Sequence, residues 1–298
     1  MPHLGKTSLV ARTYISGMES SAPLHPAHLW AGLRPCSLEE LDGAKLMDRL
    51  DQKYLIPNAL MPGLVAALAS GNDTRDANDA GVPGYRVLEI GGTRRHLYRT
   101  LYLDDAAFSF HQAHQCGRLP RAKVRLRTYA TTGACFLEHK RKGIDGGTRK
   151  RRLLRAEPAP TLDATTQLSP AEREFLAAKG VATEPLRPVL AMEFLRTTLL
   201  APSGRERITF DTELRYGLPG ETLQLLEGVV ILEIKHERGA ATGPLQLALR
   251  RLGLRPLSWS KYCTSLALRR PDLRSNRFKP SLLQWRSLLR AQERMITP

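Results

Sequence analysis

Five segments of this 298-residue chain carry charge on alternate residues. The rows are Arg49, Asp51 and Lys53; Lys123, Arg125 and Arg127; Glu138, Lys140 and Lys142; Arg207, Thr209 and Asp211; and Glu233 with Lys235. Side chains alternate across a β-strand, so each row occupies one face and leaves an apolar reverse, as with Val124 and Leu126. Arginine offers a planar fork that matches phosphate oxygens, and lysine a compact charge, so the basic excess suits a polyphosphate-like anion. Carboxylates repel phosphate, and their presence makes sense with a divalent cation between the two. Glu233 is the leading ligand for such an ion; Glu138 and Asp211 either join it or neutralise a neighbouring base. Arg196 shares a face with Met192 and Phe194. Outward polar faces are common on antiparallel sheets and would also produce such rows. The dominance of arginine, and recurrence on segments far apart in the chain, favour an enclosed basic site.

The elements that must position these residues are mostly strands. Alternation predicts strands over 49–56, 95–103, 123–129, 134–142, 148–155, 189–200, 206–214 and 228–236, with glycine or proline turns between several of them. Gly133 and the stretch from Gly143 to Gly147 mark two successive hairpins. Ser37-Leu-Glu-Glu40 and Ser169-Pro-Ala-Glu172 have the spacing of capping boxes and open helices, the second stopping at Gly180. Helices are also expected over 58–68 and 245–252, with 108–114 and 259–268 as further candidates, and 70–84 reads as a surface loop. Helices are too few between strands for a doubly wound parallel sheet. The expected fold is α+β: an antiparallel β-barrel tunnel with a polar, basic interior and flanking helices.

Residues 1–35 read as a poorly ordered arm, 36–268 as the tunnel domain, and 269–298 as a basic tail with a short amphipathic helix around Leu282 to Leu289. The formal net charge of +16 favours anionic partners. Cys36, Cys116, Cys135 and Cys263 form no C-x-x-C pair, which argues against a disulfide framework or structural zinc. His111, His114 and Cys116 lack a matching second ligand pair. No apolar run approaches the roughly 18 to 20 residues that span a bilayer. The expectation is a cytoplasmic protein, with peripheral attachment at the inner membrane face as an option. Nucleic acid is the less favoured polyanion, because the basic tail has few aromatics and no recognisable motif.

Six stretches, in order, carry a resemblance: Arg49-x-Asp-x-Lys-Tyr54, Lys123-Val-Arg-Leu-Arg-Thr-Tyr129, Glu138-His-Lys140, Arg207-Ile-Thr-Phe-Asp211, Leu232-Glu-Ile-Lys235 and Ser260-Lys-Tyr262. Together they resemble the VTC domain, the polyphosphate polymerase module of the vacuolar transporter chaperone complex, within the triphosphate tunnel metalloenzyme (CYTH-like) superfamily. The resemblance implies a phosphotransferase that moves the γ-phosphate of ATP to a growing polyphosphate chain with Mn²⁺ or Mg²⁺. It implies that Arg125, Arg127, Lys140, Arg196, Arg207 and Lys261 hold the reacting phosphates and that Glu233 holds the metal. Lys53 and Lys235 complete the lining, and Lys123 and Lys142 extend the substrate-binding set from their charged rows. Hydrolytic relatives open with Glu-x-Glu-x-Lys, whereas Arg49 stands at the first position here, which disfavours a triphosphatase. A triphosphatase and a polyphosphate-binding module without turnover are the alternatives. The family's membrane delivery of polyphosphate would require a separate membrane partner.

Overall fold

The computed structural model describes residues 28–43, 49–70, 84–239 and 242–296. In chain order its elements are β1 (Arg34–Cys36), α1 (Leu38–Gly43), β2 (Arg49–Pro57), α2 (Met61–Ser70), β3 (Arg86–Leu88), β4 (His96–Asp104), α3 (Ser109–Gln115), β5 (Arg121–Tyr129), β6 (Cys135–Lys142), β7 (Thr148–Leu154), α4 (Pro170–Ala177), β8 (Arg187–Leu200), β9 (Glu206–Gly217), β10 (Gln224–Leu225), β11 (Val229–Glu237), α5 (Pro244–Arg251), α6 (Lys261–Arg269) and α7 (Lys279–Ile296). The protein is mixed α+β, built on a large and mostly antiparallel sheet. The chain divides into two compact units, one from residues 1–95, 197–211 and 228–257, the other from 96–196, 212–227 and 258–298.

In the first unit β11 lies between β2 and β9, antiparallel to both. Period-two alternation sends Tyr54, Ile56, Ile208, Phe210, Val230, Leu232 and Ile234 to one face. There they pack with Leu64, Val65 and Leu68 of α2 and Leu245 and Leu249 of α5. Each such side chain contributes on the order of 1.5–3 kcal/mol by leaving water, and that fixes the strand register, since a one-residue slip would expose all of them. Trp30 joins this core 5.1 Å from the Phe210 ring. The region expected to be an unordered arm is therefore structured from the short 3-10 turn His28–Trp30 onward, while its residues 1–27 lie outside the described residues, as do 71–83 of the expected loop.

In the second unit residues 187–196 of β8 pair with β4, followed by β5, β6 and β7, all antiparallel. The two hairpins expected at Gly133 and Gly143–Gly147 are the β5–β6 and β6–β7 connections. Leu101, Leu103, Val124, Leu126 and Leu137 turn to one face and bury against Leu168 and Leu176 beside α4. The Ser169–Glu172 capping box is present in both directions, with Pro170 in the first turn, so α4 begins where its sequence signal stands. The tail helix is longer than expected, Lys279–Ile296.

Among the described residues β2 pairs only with β11 and β7 only with β6, so the pairing does not close the strands into a barrel.

Candidate functional site

The charged rows are real faces of the strands. In the second unit, cross-strand register sets Arg125 opposite Tyr102 on one side and Glu138 on the other, and Glu138 opposite Arg152. The next row is Lys123, Lys140 and Lys150, three lysines abreast. Lys150 is paired with Glu138, and Lys123 donates to the Ser260 hydroxyl at 2.7 Å. Lys142 ends the face, opposite Arg121 and Thr148.

Glu138, 1% exposed, is the carboxylate at the centre. Its Oε2 lies 2.5 Å from Arg125 Nη2 and 4.0 Å from Arg127 Nη1, while Lys150 Nζ pairs with Oε1. Tyr129 donates its hydroxyl to Oε1 at 3.3 Å. Burial alone would raise the Glu138 carboxyl, but Arg125, Arg127 and Lys150 outweigh it and hold the group well below the usual carboxylate range. This carboxylate is committed to neutralising bases. Of the two roles open in the sequence, neutralisation is the one its contacts describe.

Beyond Glu138 the face turns aromatic. Tyr98 and Phe194 stack at 5.4 Å. Three cations surround them. Arg127 lies 5.8 Å, Arg196 5.3 Å and Lys261 5.1 Å from the Phe194 centroid, and Arg127 and Arg196 also cover Tyr98. Cation–π contact orients these bases but does not cancel their charge. Burial first, then Arg125 and Arg196, depress the Arg127 guanidinium below its ordinary value, with Glu138 opposing them. Arg127 also donates from Nε to Thr100 at 3.3 Å.

Lys261 is placed by the start of α6. Ser260 caps that helix by accepting from the Cys263 amide at 3.2 Å, and the same hydroxyl accepts from Lys123 Nζ at 2.7 Å. Tyr262 anchors the first turn from the other side, donating to Asp104 Oδ2 at 2.5 Å. Asp104 in turn accepts from the amides of Phe110 and His111 at the start of α3. Thus Arg125, Arg127, Arg196 and Lys261 converge around Tyr98, Tyr102 and Phe194, Lys123 reaches the Lys261 helix, and Lys140 and Lys142 extend the face along β6.

In the first unit, register sets Glu233 between Lys53 and Thr209, and Lys235 between Asp51 and Arg207. Glu233 pairs with Lys235 within β11. Asp211 is fully buried, and Thr209 Oγ1 is buried with no hydrogen-bond partner.

Several members of these faces escape the alternation argument. Tyr98 carries no charge that would mark it in the sequence, and Lys150 and Arg152 belong to a segment that is basic on both faces. His111 and His114 do not form a metal pair with Cys116: His111 Nε2 lies 3.0 Å from the Arg274 carbonyl oxygen and His114 Nδ1 3.1 Å from Cys263 Sγ.

The VTC domain family model matches residues 48–269. The chain belongs to the VTC domain family. No curated protein matches it. Among solved structures, this VTC protein is similar to a candidate adenylate cyclase from Bacillus halodurans, at 14% identity and a TM-score of 0.44 over 72% of this chain and 94% of the other. It is also similar to a candidate adenylyl cyclase from Hippeastrum described as having a dominant triphosphatase activity, at 16% identity and a TM-score of 0.42 over 75% and 97%. The PH1819 protein of Pyrococcus horikoshii matches at 15% identity and a TM-score of 0.37 over 74% and 95%.

Among the described residues of this VTC protein, no three His, Cys, Asp or Glu side chains gather into a group that could hold a metal. Glu233 offers one carboxylate. That fits a hard divalent cation only where phosphate oxygens and water supply the other ligands, the usual arrangement for Mg²⁺ at phosphate substrates.

Proposed function

We propose that this VTC domain is a polyphosphate polymerase that transfers the γ-phosphate of ATP to a polyphosphate chain. The observation that carries the reading is the convergence of Arg127, Arg196 and Lys261 on the Tyr98–Phe194 stack, beside Arg125. Crowded cations on rigid strands are preorganised for an anion with many equatorial oxygens, and phosphoryl transfer asks little more than positioning and charge stabilisation. In this reading Arg125, Arg127, Lys140, Arg196 and Lys261 hold phosphates, and Lys123 and Lys142 guide the chain. Arg207, Lys53 and Lys235 form a basic set of their own on the first unit's face. The buried Thr209 hydroxyl, unpaired in register beside Glu233, supports a polar ligand on that face.

Glu233 would hold Mn²⁺ or Mg²⁺, which when bound would supply charge neutralisation at the phosphate oxygens. The proposal includes a tunnel enclosing the polymer, residues 36–268 as the phosphate-handling domain, and a cytoplasmic site of action beside a separate membrane partner. Arg49, in place of the glutamate of hydrolytic relatives, favours an acceptor phosphate over water.

The deciding experiment incubates purified protein with ATP and Mn²⁺. Acid-labile phosphate chains are expected, lost in Arg196→Ala and in Glu233→Gln, with tripolyphosphate binding retained in the latter without metal. Free phosphate without polymer would identify a triphosphatase. Tight polyphosphate binding with neither product would leave a binding module.

A further inference from the structure

The second unit has a cavity of about 390 Å³ lined from β5, β6, α3 and the segment after α4. It belongs to the opposite side of the β5–β6 pair from the Arg125 face. Ala122 and Arg141 are cross-strand partners, as are Val124 and His139, and alternation turns them away from Arg125, Glu138 and Lys140. Arg121, His139, Arg141 and Lys179 supply its basic lining. Phe110 and Leu186 supply apolar wall and pack against the strand core beneath.

Its charge is uncompensated. Among the described residues Arg121, Arg141 and Lys179 enter no ion pair. The one carboxylate in the lining, Asp105, is turned to the start of α3, where it accepts from the Ser109 amide at 3.0 Å. His139 is 4% exposed, so a largely buried imidazole lies within reach of the Lys179 and Arg141 charges. Its pKa is lowered, first by burial and then by Lys179 and Arg141.

We propose that this cavity is a second anion site, built for a small phosphorylated molecule with an apolar body. Volume and mixed lining match small-ligand pockets, in which apolar walls carry affinity and a few polar groups fix orientation. Arg141 and Lys179 would receive the phosphate, and Phe110 and Leu186 the apolar part. A long polyphosphate would leave that wall unused, which separates the site from the strand face opposite. The inference stands independently of whether the Arg125 face polymerises.

The test uses full-length protein saturated with tripolyphosphate and titrated calorimetrically with 1-naphthyl phosphate, with the His139 ring followed by NMR. Saturable binding at one site is expected, with a shift of the His139 resonances. Affinity should fall about tenfold or more in Arg141→Ala and in Lys179→Ala, and by as much for uncharged 1-naphthol. No saturable binding, equal affinity for 1-naphthol, or indifference to both substitutions would overturn the proposal. So would displacement of the probe by tripolyphosphate, which would assign it to the strand face.

Discussion

Glu138 shows at the residue scale how a carboxylate in the proposed phosphate site can serve its neighbouring bases rather than a metal. It is buried and surrounded by Arg125, Arg127 and Lys150, so its charge is spent on holding bases in place. Removing one partner from a buried ionic cluster leaves the others uncompensated, at a cost of about 3 kcal/mol. Glu138→Gln is therefore expected to lower stability in urea denaturation by about that amount. It should also tighten metal-free tripolyphosphate binding by about tenfold, because a like charge leaves the anion's neighbourhood. Weaker binding would contradict the neutralising role. The sign with pH follows from the depressed carboxyl. Its stabilisation is complete above the ordinary glutamate value of about 4.3 and is lost as pH falls toward the lower folded value, so wild type and variant should converge in acid.

At the scale of elements, α6 decides where Lys261 stands. Tyr262 fastens that helix to Asp104, whose other bonds come from the first amides of α3, so one carboxylate ties two helices to the end of β4. Tyr262→Phe keeps the ring, which stacks on Tyr102 at 5.0 Å, but takes a donor from a buried acceptor. The expected loss is about 1–3 kcal/mol of stability, with a smaller fall in tripolyphosphate affinity than Lys261→Ala produces. Unchanged stability would remove Asp104 from the seating of α6. This anchor was not legible beforehand, because a tyrosine and an aspartate 158 residues apart share no local pattern. The strands were legible, since Lys123–Tyr129 and Val230–Lys235 alternate between an apolar and a charged face and only one face can meet a core. Thr148–Leu154 is basic on successive residues, so which of its bases face Glu138 is set by pairing with β6 alone. The strands Arg34–Cys36 and Arg86–Leu88 are three residues each, too short to show a period, and pair in parallel with one another. Tyr98 was hidden for the opposite reason, because an aromatic on a strand looks like core whether or not cations cover it.

At the scale of the whole molecule, a net charge of +16 makes every buried base-accepting group sensitive to acid. No helix among the described residues is long and apolar enough to cross a membrane. Of the histidines buried in the second unit, His111, His114 and His139 have lowered pKa values. Burial is the first cause of depression in each, and in His114 the nearby Lys123, Arg121 and Arg277 add to it, pushing the imidazole down to about 2. These rings resist protonation in the folded state, His114 most of all, while the unfolded chain takes up protons from about pH 6.5 downward. The unfolded state then binds more protons than the native one, so stability rises with pH across this window and falls on acidification. Each neutral ring removes up to about 1.4 kcal/mol per pH unit below 6.5, and self-repulsion of the cationic chain adds to the loss. The urea midpoint is accordingly expected to drop steadily from pH 7 to pH 5, before the carboxylates titrate. His114→Gln should flatten that slope, since the ring with the largest depression is gone. A midpoint constant between pH 7 and pH 5 would mean that these histidines are already charged in the folded protein, and with them that the interior beside Lys261 tolerates still more positive charge than its packing indicates.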